Sequence, residues 1–143
     1  MKVWISDLTY TQQSIASDTV PAAIGMIAEY LEKKIPKIVK TKLFKFPEDL
    51  SKELEKDKPD VIGFSSYVWS TSLSDMFMKR IKEVFPKIIT VSGGPNFPST
   101  KEEQFEYLKE KPWIDYYIVK EGEHAFFRLI SELINKSIVE IIS

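Results

Sequence analysis

Five short apolar runs, each followed by a segment with helical periodicity, restrict this chain more than any other feature of it. The runs are Val3-Trp4-Ile5, the alternating Val39, Thr41 and Leu43, Val61 to Phe64, Ile88 to Val91, and Tyr116 to Val119. Between them, Ile24, Ile27, Ala28 and Leu31 recur at helical spacing up to Ile35, where Pro36 closes the helix. Pro47 opens a second helix with Leu50 and Leu54 on one face. The set Leu73, Met76, Phe77, Ile81 and Val84 marks a third helix, which ends at Pro86. Thr100-Lys-Glu-Glu103 is a capping box that opens a fourth helix carrying Phe105 and Leu108, and Phe126, Leu129, Ile130 and Leu133 face inward from a fifth. A strand followed by a helix, repeated five times, predicts an open parallel sheet with helices on both faces, because the crossovers are right-handed and must cover it. A closed barrel would need eight such units. The expected fold is a three-layer α/β/α, flavodoxin-like sheet of five strands in the order 2-1-3-4-5.

In such a sheet, ligands settle beyond the carboxyl ends of the strands, at the point where the strand order reverses. That places a site over Asp7, Thr9 and Tyr10 after the first strand, Ser65, Ser66, Tyr67 and Trp69 after the third, and Gly93, Gly94, Pro95 and Asn96 after the fourth. Glu121 and Gly122 stand at its far side. The strand ends in Asp60-Val-Ile-Gly-Phe-Ser-Ser-Tyr-Val-Trp69 and Ile88-Ile-Thr-Val-Ser-Gly-Gly-Pro-Asn-Phe-Pro98 are small or hydroxylated, which lets a large molecule approach the backbone. Each residue also has a purely structural reading. Asp7 can cap local N–H groups, Ser65 and Ser66 can be small packing residues, and Gly93-Gly94 can serve a tight turn. Trp4 reads as core, Trp113 as packing under the fifth strand, and Phe126 and Phe127 as a core edge.

Several ligand classes fail against these ends. No glycine stands between Met1 and Gly25, so a Gly-x-Gly-x-x-Gly dinucleotide turn is absent, and there is no Gly-Lys-Ser/Thr phosphate loop. A phosphorylatable receiver would carry an acid where Ser65 and Ser66 stand. A flavin mononucleotide loop has a faint echo in Thr9-Tyr-Thr-Gln-Gln-Ser14 but lacks its glycine, and stays a minor alternative. With 20 Lys and Arg against 21 Asp and Glu, nothing draws the chain to nucleic acid. It has no cysteine, which excludes disulfides, thiolate zinc and a Cys-held iron–sulfur cluster within these 143 residues. No Ser–His–Asp or Cys–His arrangement is visible. The short apolar N-terminal run and the absence of any stretch near 18 apolar residues predict a cytoplasmic protein with no membrane partner.

Pro59 to Trp69, Ser92-Gly-Gly-Pro-Asn-Phe-Pro98 and Glu121-Gly-Glu123, in this order and spacing, resemble the cobalamin-binding domain at the N-terminus of many radical S-adenosylmethionine proteins. The resemblance runs from Lys2 to about Asn135. It implies cobalamin as cofactor and partner, with Ser65 bonding the nucleotide tail, and Gly93 and Gly94 leaving room for it. Pro95, Asn96 and Phe97 would extend that wall, and Tyr67 and Trp69 would offer the corrin an apolar surface. One departure is plain. Members that replace the cofactor's own base use Asp-x-His-x-x-Gly after the first strand, whereas this chain has Asp7-Leu-Thr-Tyr-Thr-Gln-Gln13, with Thr9 near the His position. Cobalamin would then bind without a protein histidine, or this copy has lost the cofactor and serves as an interaction domain. The one histidine, His124, reads as an ordinary partly exposed residue. The resemblance further implies a module, not a catalyst in itself, of a larger methyltransferase-like radical enzyme. The 4Fe-4S cluster and S-adenosylmethionine would sit in a downstream domain. Residues 1–137 form the expected domain, and the apolar 138–143 reads as a linker toward that domain or as a sixth, edge strand.

Overall fold

The computed structural model describes residues 1–9, 22–119 and 122–142. Strands β1 (Lys2–Ser6), β2 (Lys40–Phe44), β3 (Val61–Ser65), β4 (Ile89–Gly93) and β5 (Tyr116–Ile118) alternate with helices α1 (Ala22–Lys34), α2 (Pro47–Lys56), α3 (Thr71–Val84), α4 (Lys101–Glu110) and α5 (Gly122–Ile142). All pairings are parallel, and the order is β2-β1-β3-β4-β5, as the alternation predicts.

The parallel sheet is apolar on both faces, and two cores result. On one face Val3, Ile5, Val61 and Val91 pack against Ile24, Ala28 and Leu31 of α1 and Phe126, Ile130 and Leu133 of α5. On the other Trp4, Phe44, Ile62 and Phe64 pack against Leu50 of α2 and Leu73, Met78 and Ile81 of α3. Successive strand residues point to opposite faces, so Trp4 belongs to the second core while its neighbours Val3 and Ile5 belong to the first. Thr100 caps α4 as its sequence predicts, with its side chain accepting from the Glu103 N–H.

The packing selects which apolar residues of α3 and α4 face the sheet, and one expectation, for the tail, changes. In α3 the inward face is Leu73, Ser74, Met78 and Ile81, while Met76 is 59% exposed and Val84 45%. The Ser74 hydroxyl donates to the Ser65 carbonyl at 3.3 Å, which turns this small residue to the sheet. Met78 and Ile81 follow it at i+4 and i+7, and Met76 lies about 200° around the helix, facing outward. In α4 no residue is fully buried and Phe105 is 68% exposed, because only Tyr107 and Leu108 reach the second core. The tail is not an edge strand, since α5 remains helical to Ile142. No Gly or Pro follows Gly122, and Ile138, Ile141 and Ile142 keep the i, i+3, i+4 spacing of the helix before them. Trp113 packs against the second core, and its indole N–H donates to Asp75 Oδ1 at 3.1 Å beside the Lys111–Asp75 ion pair.

Candidate functional site

A cavity of about 410 Å³ opens at the carboxyl ends of β1, β3 and β4, on the face covered by α1 and α5. Strand register builds its floor in two rows. Ile5, Gly63 and Val91 lie side by side across β1, β3 and β4, and nearer the mouth Ser65, Gly93 and Ile118 lie side by side across β3, β4 and β5. Ile24 and Ile27 of α1 form one wall, and Gly122, Glu123 and Phe126 at the start of α5 form another. The Phe126 ring lies over Gly63, so that a Cβ added at Gly63 would sit 3.6 Å from Phe126 Cζ. Tyr67 and Pro95 close the rim.

Of the residues expected at the site, Ser65, Tyr67, Gly93, Gly94, Pro95 and Gly122 thus line one cavity. Ser66 and Asn96 act behind it. Ser66 is buried, its N–H donates to the Gly93 carbonyl at 2.5 Å, and its carbonyl accepts from the Asn96 N–H at 3.4 Å. The Asn96 side-chain amide donates to Thr71 Oγ1 at 2.8 Å, and that hydroxyl in turn donates to the Tyr67 carbonyl at 2.6 Å. The loops after β3 and β4 are therefore tied to each other. The Ser65 carbonyl accepts from the hydroxyls of Ser70 and Ser74, so this end of β3 is fixed through its backbone.

Gly94 is the hinge of the rim. Its φ is +130°, and a Cβ there would lie 2.5 Å from the Ser66 carbonyl oxygen and 3.0 Å from the Ser66 nitrogen. From the opposite face of the sheet, the Tyr117 hydroxyl donates to the Gly94 carbonyl at 3.0 Å. Its ring is stacked on Phe97 at 3.7 Å, and burial pushes its phenol up to about 12. Sequence reading gave Tyr117 no role because its contribution is made through the fold, 23 positions away from its partner.

The end of β1 lies apart. Asp7 and Thr9 continue the pairing with β2, their N–H groups donating to the carbonyls of Phe44 at 3.0 Å and Lys45 at 2.9 Å, and neither lines the cavity. Burial raises the Asp7 carboxyl above the ordinary aspartate range, with Lys45 opposing. Tyr10 and Glu121 lie outside the described residues. Trp69 is 67% exposed and stacks on Tyr67 at 4.8 Å and 4° between planes, so the pair presents a flat surface beside the rim and not inside it. His124 is exposed and shares a 3.1 Å hydrogen bond with the Tyr30 hydroxyl. Among the described residues no group of acids and histidines could hold a metal ion, and no helix is long and apolar enough to cross a membrane. The residues missed in the sequence are the apolar walls, while Glu123 was named only as part of the Glu121-Gly-Glu123 motif. Gly63 carried a signal, since an isolated glycine inside a buried strand marks a close approach by another group.

Comparison with known proteins decides the family. Residues 11–130 match the family model described as the B12 binding domain. The chain is a B12-binding domain. It is 35% identical over 74 residues to the cobalamin-dependent radical SAM methyltransferase TokK of Streptomyces tokunonensis, covering 52% of this chain and 10% of that protein. It is 27% identical over 118 residues to the 2-(S-pantetheinyl)-carbapenam-3-carboxylate methyltransferase of Streptantibioticus cattleyicolor, covering 79% and 17%. Against the anaerobic magnesium-protoporphyrin IX monomethyl ester cyclase of Rubrivivax gelatinosus it is 30% identical over 92 residues, covering 58% and 15%. This B12-binding domain therefore spans less than a fifth of the length of these relatives. Among solved structures, HP1043, an orphan response regulator of H. pylori, superposes with a TM-score of 0.60 at 20% identity over 92% of this chain and 94% of that one. An atypical orphan response regulator gives 0.56 at 20% identity over 84% and 82%. These two share the flavodoxin-like fold with the B12-binding domain.

Proposed function

We propose that this chain holds cobalamin as the cofactor module of a larger radical S-adenosylmethionine methyltransferase. The observation that carries the reading is a largely apolar cavity, opening at the strand ends of a B12-binding domain, whose rim is made of Ser65, Gly93 and Gly94. Its volume falls within the range of roughly 300–1,000 Å³ usual for small-molecule sites. Cobalamin as a whole exceeds it, but the planar base and ribose of the nucleotide tail match its size and its apolar walls. The corrin would then be held outside, over the carboxyl ends of β1, β3 and β4. The flat Tyr67–Trp69 pair and Val68, 83% exposed, stand next to that position and would keep water from the corrin edge.

The side chains divide the work by position. Gly93 and Gly94 leave the rim without Cβ atoms, so the tail passes close to the backbone. The Ser65 hydroxyl, at the mouth, would supply a hydrogen bond to the polar part of the tail. When bound, cobalamin supplies a transferable methyl group. This chain supplies placement and a water-poor wall. Thr9 stands at the position of the family's histidine, with its N–H donating to the Lys45 carbonyl, and His124 shares a hydrogen bond with Tyr30, so cobalamin would be held here without a histidine from the described residues. A flavin mononucleotide or a polyphosphate nucleotide fits less well, because among the described residues none that lines the cavity is cationic and one, Glu123, is acidic. With no cysteine in the chain, a 4Fe-4S cluster would be held by a separate domain, with S-adenosylmethionine beside it.

Titration with hydroxocobalamin and methylcobalamin, followed by the visible spectrum and by tryptophan emission, tests the reading. Saturable binding that Gly93→Val or Ser65→Leu weakens supports it. Failure of both corrinoids to bind at about 1 mM, equivalent to a free energy near −4 kcal/mol, leaves an interaction domain that has lost its cofactor.

A further inference from the structure

We infer that Thr71 is a positioning residue for the cofactor, an inference that rests on the cobalamin reading above. Its hydroxyl lies behind the rim, outside the cavity, and ties the loop after β3 to the loop after β4. Near the sheet the main chain already joins the two loops, through the Ser66 N–H to the Gly93 carbonyl at 2.5 Å and the Asn96 N–H to the Ser66 carbonyl at 3.4 Å. Further out, the segment that carries Tyr67, Val68 and Trp69 is held to the second loop through side chains, with the Asn96 amide donating to Thr71 Oγ1 at 2.8 Å.

The chemistry of its partners fixes each role of the Thr71 hydroxyl, which has one proton to give and two lone pairs to receive. The Tyr67 carbonyl can only accept, so it takes the Thr71 proton at 2.6 Å. The Asn96 amide therefore donates, and so does the Ser66 hydroxyl at 3.2 Å, which uses every site of the oxygen. The Tyr67 carbonyl also accepts from the N–H groups of Ser70 at 3.0 Å and Thr71 at 2.9 Å, and the Tyr67 N–H donates to Ser70 Oγ at 3.3 Å. These bonds fix the main chain of Tyr67, whose side chain lines the cavity and stacks on Trp69. A local turn at the start of α3 needs only the bond from Thr71 to Tyr67, four positions back. The bond from Asn96 spans 25 positions and serves the other loop. Without the hydroxyl, the loops stay joined at their base and part company at the rim. A site whose competent arrangement is only partly populated binds in proportion to that population, and one neutral hydrogen bond shifts it by about three- to tenfold.

The test titrates the intact chain with methylcobalamin by its visible spectrum, well below the melting temperature of each variant. Thr71→Val keeps the shape of the side chain and should weaken binding about three- to tenfold, while Thr71→Ser keeps the oxygen and should bind as the unaltered chain does. Asn96→Ala cuts the same tie from the other loop and leaves α3 untouched, so it decides the matter even where Thr71→Val fails to fold. It should weaken binding by a similar factor, and the double variant should lose no more than Thr71→Val alone, because one tie cannot be removed twice. A role confined to stability would lower the melting temperature and leave the affinity of the folded chain unchanged, which overturns the inference while cobalamin binding stands. Additive losses in the double variant, or Thr71→Ser as weak as Thr71→Val, overturn it too. Failure of the unaltered chain to bind overturns both this inference and the cobalamin reading.

Discussion

Gly93 and Gly94 are adjacent, identical in the sequence and both on the rim, yet they should respond very differently to a single methyl group. At Gly94 two costs add. The φ of +130° belongs to a region that L-residues rarely adopt, and holding one there costs about 1–3 kcal/mol. The new Cβ would also lie 2.5 Å, 3.0 Å and 3.1 Å from the oxygen, nitrogen and carbonyl carbon of Ser66. These are backbone atoms, and Ser66 is held by its own N–H bond to the Gly93 carbonyl, so no rotamer change relieves the overlap. Overpacking of this kind adds about 1–3 kcal/mol. Gly94→Ala should therefore destabilise the domain by about 2–6 kcal/mol, a large part of the roughly 5–15 kcal/mol that a domain has. At Gly93 the added Cβ would meet only Ile118, its Cβ at 3.4 Å and its carbonyl oxygen at 3.6 Å, both ordinary contacts, and Gly93→Ala should cost less than about 1 kcal/mol. Urea unfolding followed by tryptophan emission and circular dichroism gives both values in one experiment. A Gly94→Ala cost no larger than that of Gly93→Ala would refute the account of the rim as a turn locked against Ser66.

Three further substitutions probe separate parts of the argument. A Cβ at Gly25 meets nothing within 4 Å in α1, so Gly25→Ala should stabilise the domain by about 0.5–1 kcal/mol in the same unfolding assay. Asp7→Asn should stabilise it at neutral pH. Because burial raises the folded carboxyl above its unfolded value, the stability that Asp7 contributes is fully present only below the unfolded value. It is lost as pH rises through the folded one, so the advantage of Asn should vanish in unfolding curves taken at progressively more acidic pH. Tyr117→Phe removes the donor to the Gly94 carbonyl while keeping the stack on Phe97, and should cost about 1 kcal/mol. It should also abolish, in an alkaline spectroscopic titration, the phenol that ionises only near 12.

The alternation of apolar runs with helical segments was sufficient for the fold, because a parallel sheet leaves each strand no other way to return than through a covering helix. Turn chemistry was equally legible where it is local, as with Thr100 and Pro47. The phase of α3 was not. Met76 and Val84 are as apolar as Met78, and the packing of Leu73, Met78 and Ile81 into the second core, together with the bond from Ser74 to the Ser65 carbonyl, decides which of them faces the sheet. The edge-strand alternative for 138–143 failed for a related reason, since a β-branched apolar stretch of this length suits a strand or the end of a helix equally, and α5 already running in front of it decides the outcome.

At the site, sequence placed the glycines and Ser65 at strand ends because strand direction alone sends those residues to the carboxyl edge of the sheet. It could not separate residues that face the cavity from those that hold its rim. Ser66 and Asn96 have the same chemistry as Ser65, but their hydrogen bonds run to the neighbouring loop, and that depends on the register of β3 against β4. The apolar walls from Ile24, Ile27 and Phe126, and the clamp from Tyr117, come from elements far along the chain. Local patterning thus determined the layers, the strand order and the edge at which a ligand sits. The depth of the cavity and the different duties of Gly93 and Gly94 were decided by packing between distant segments, which no local pattern encodes.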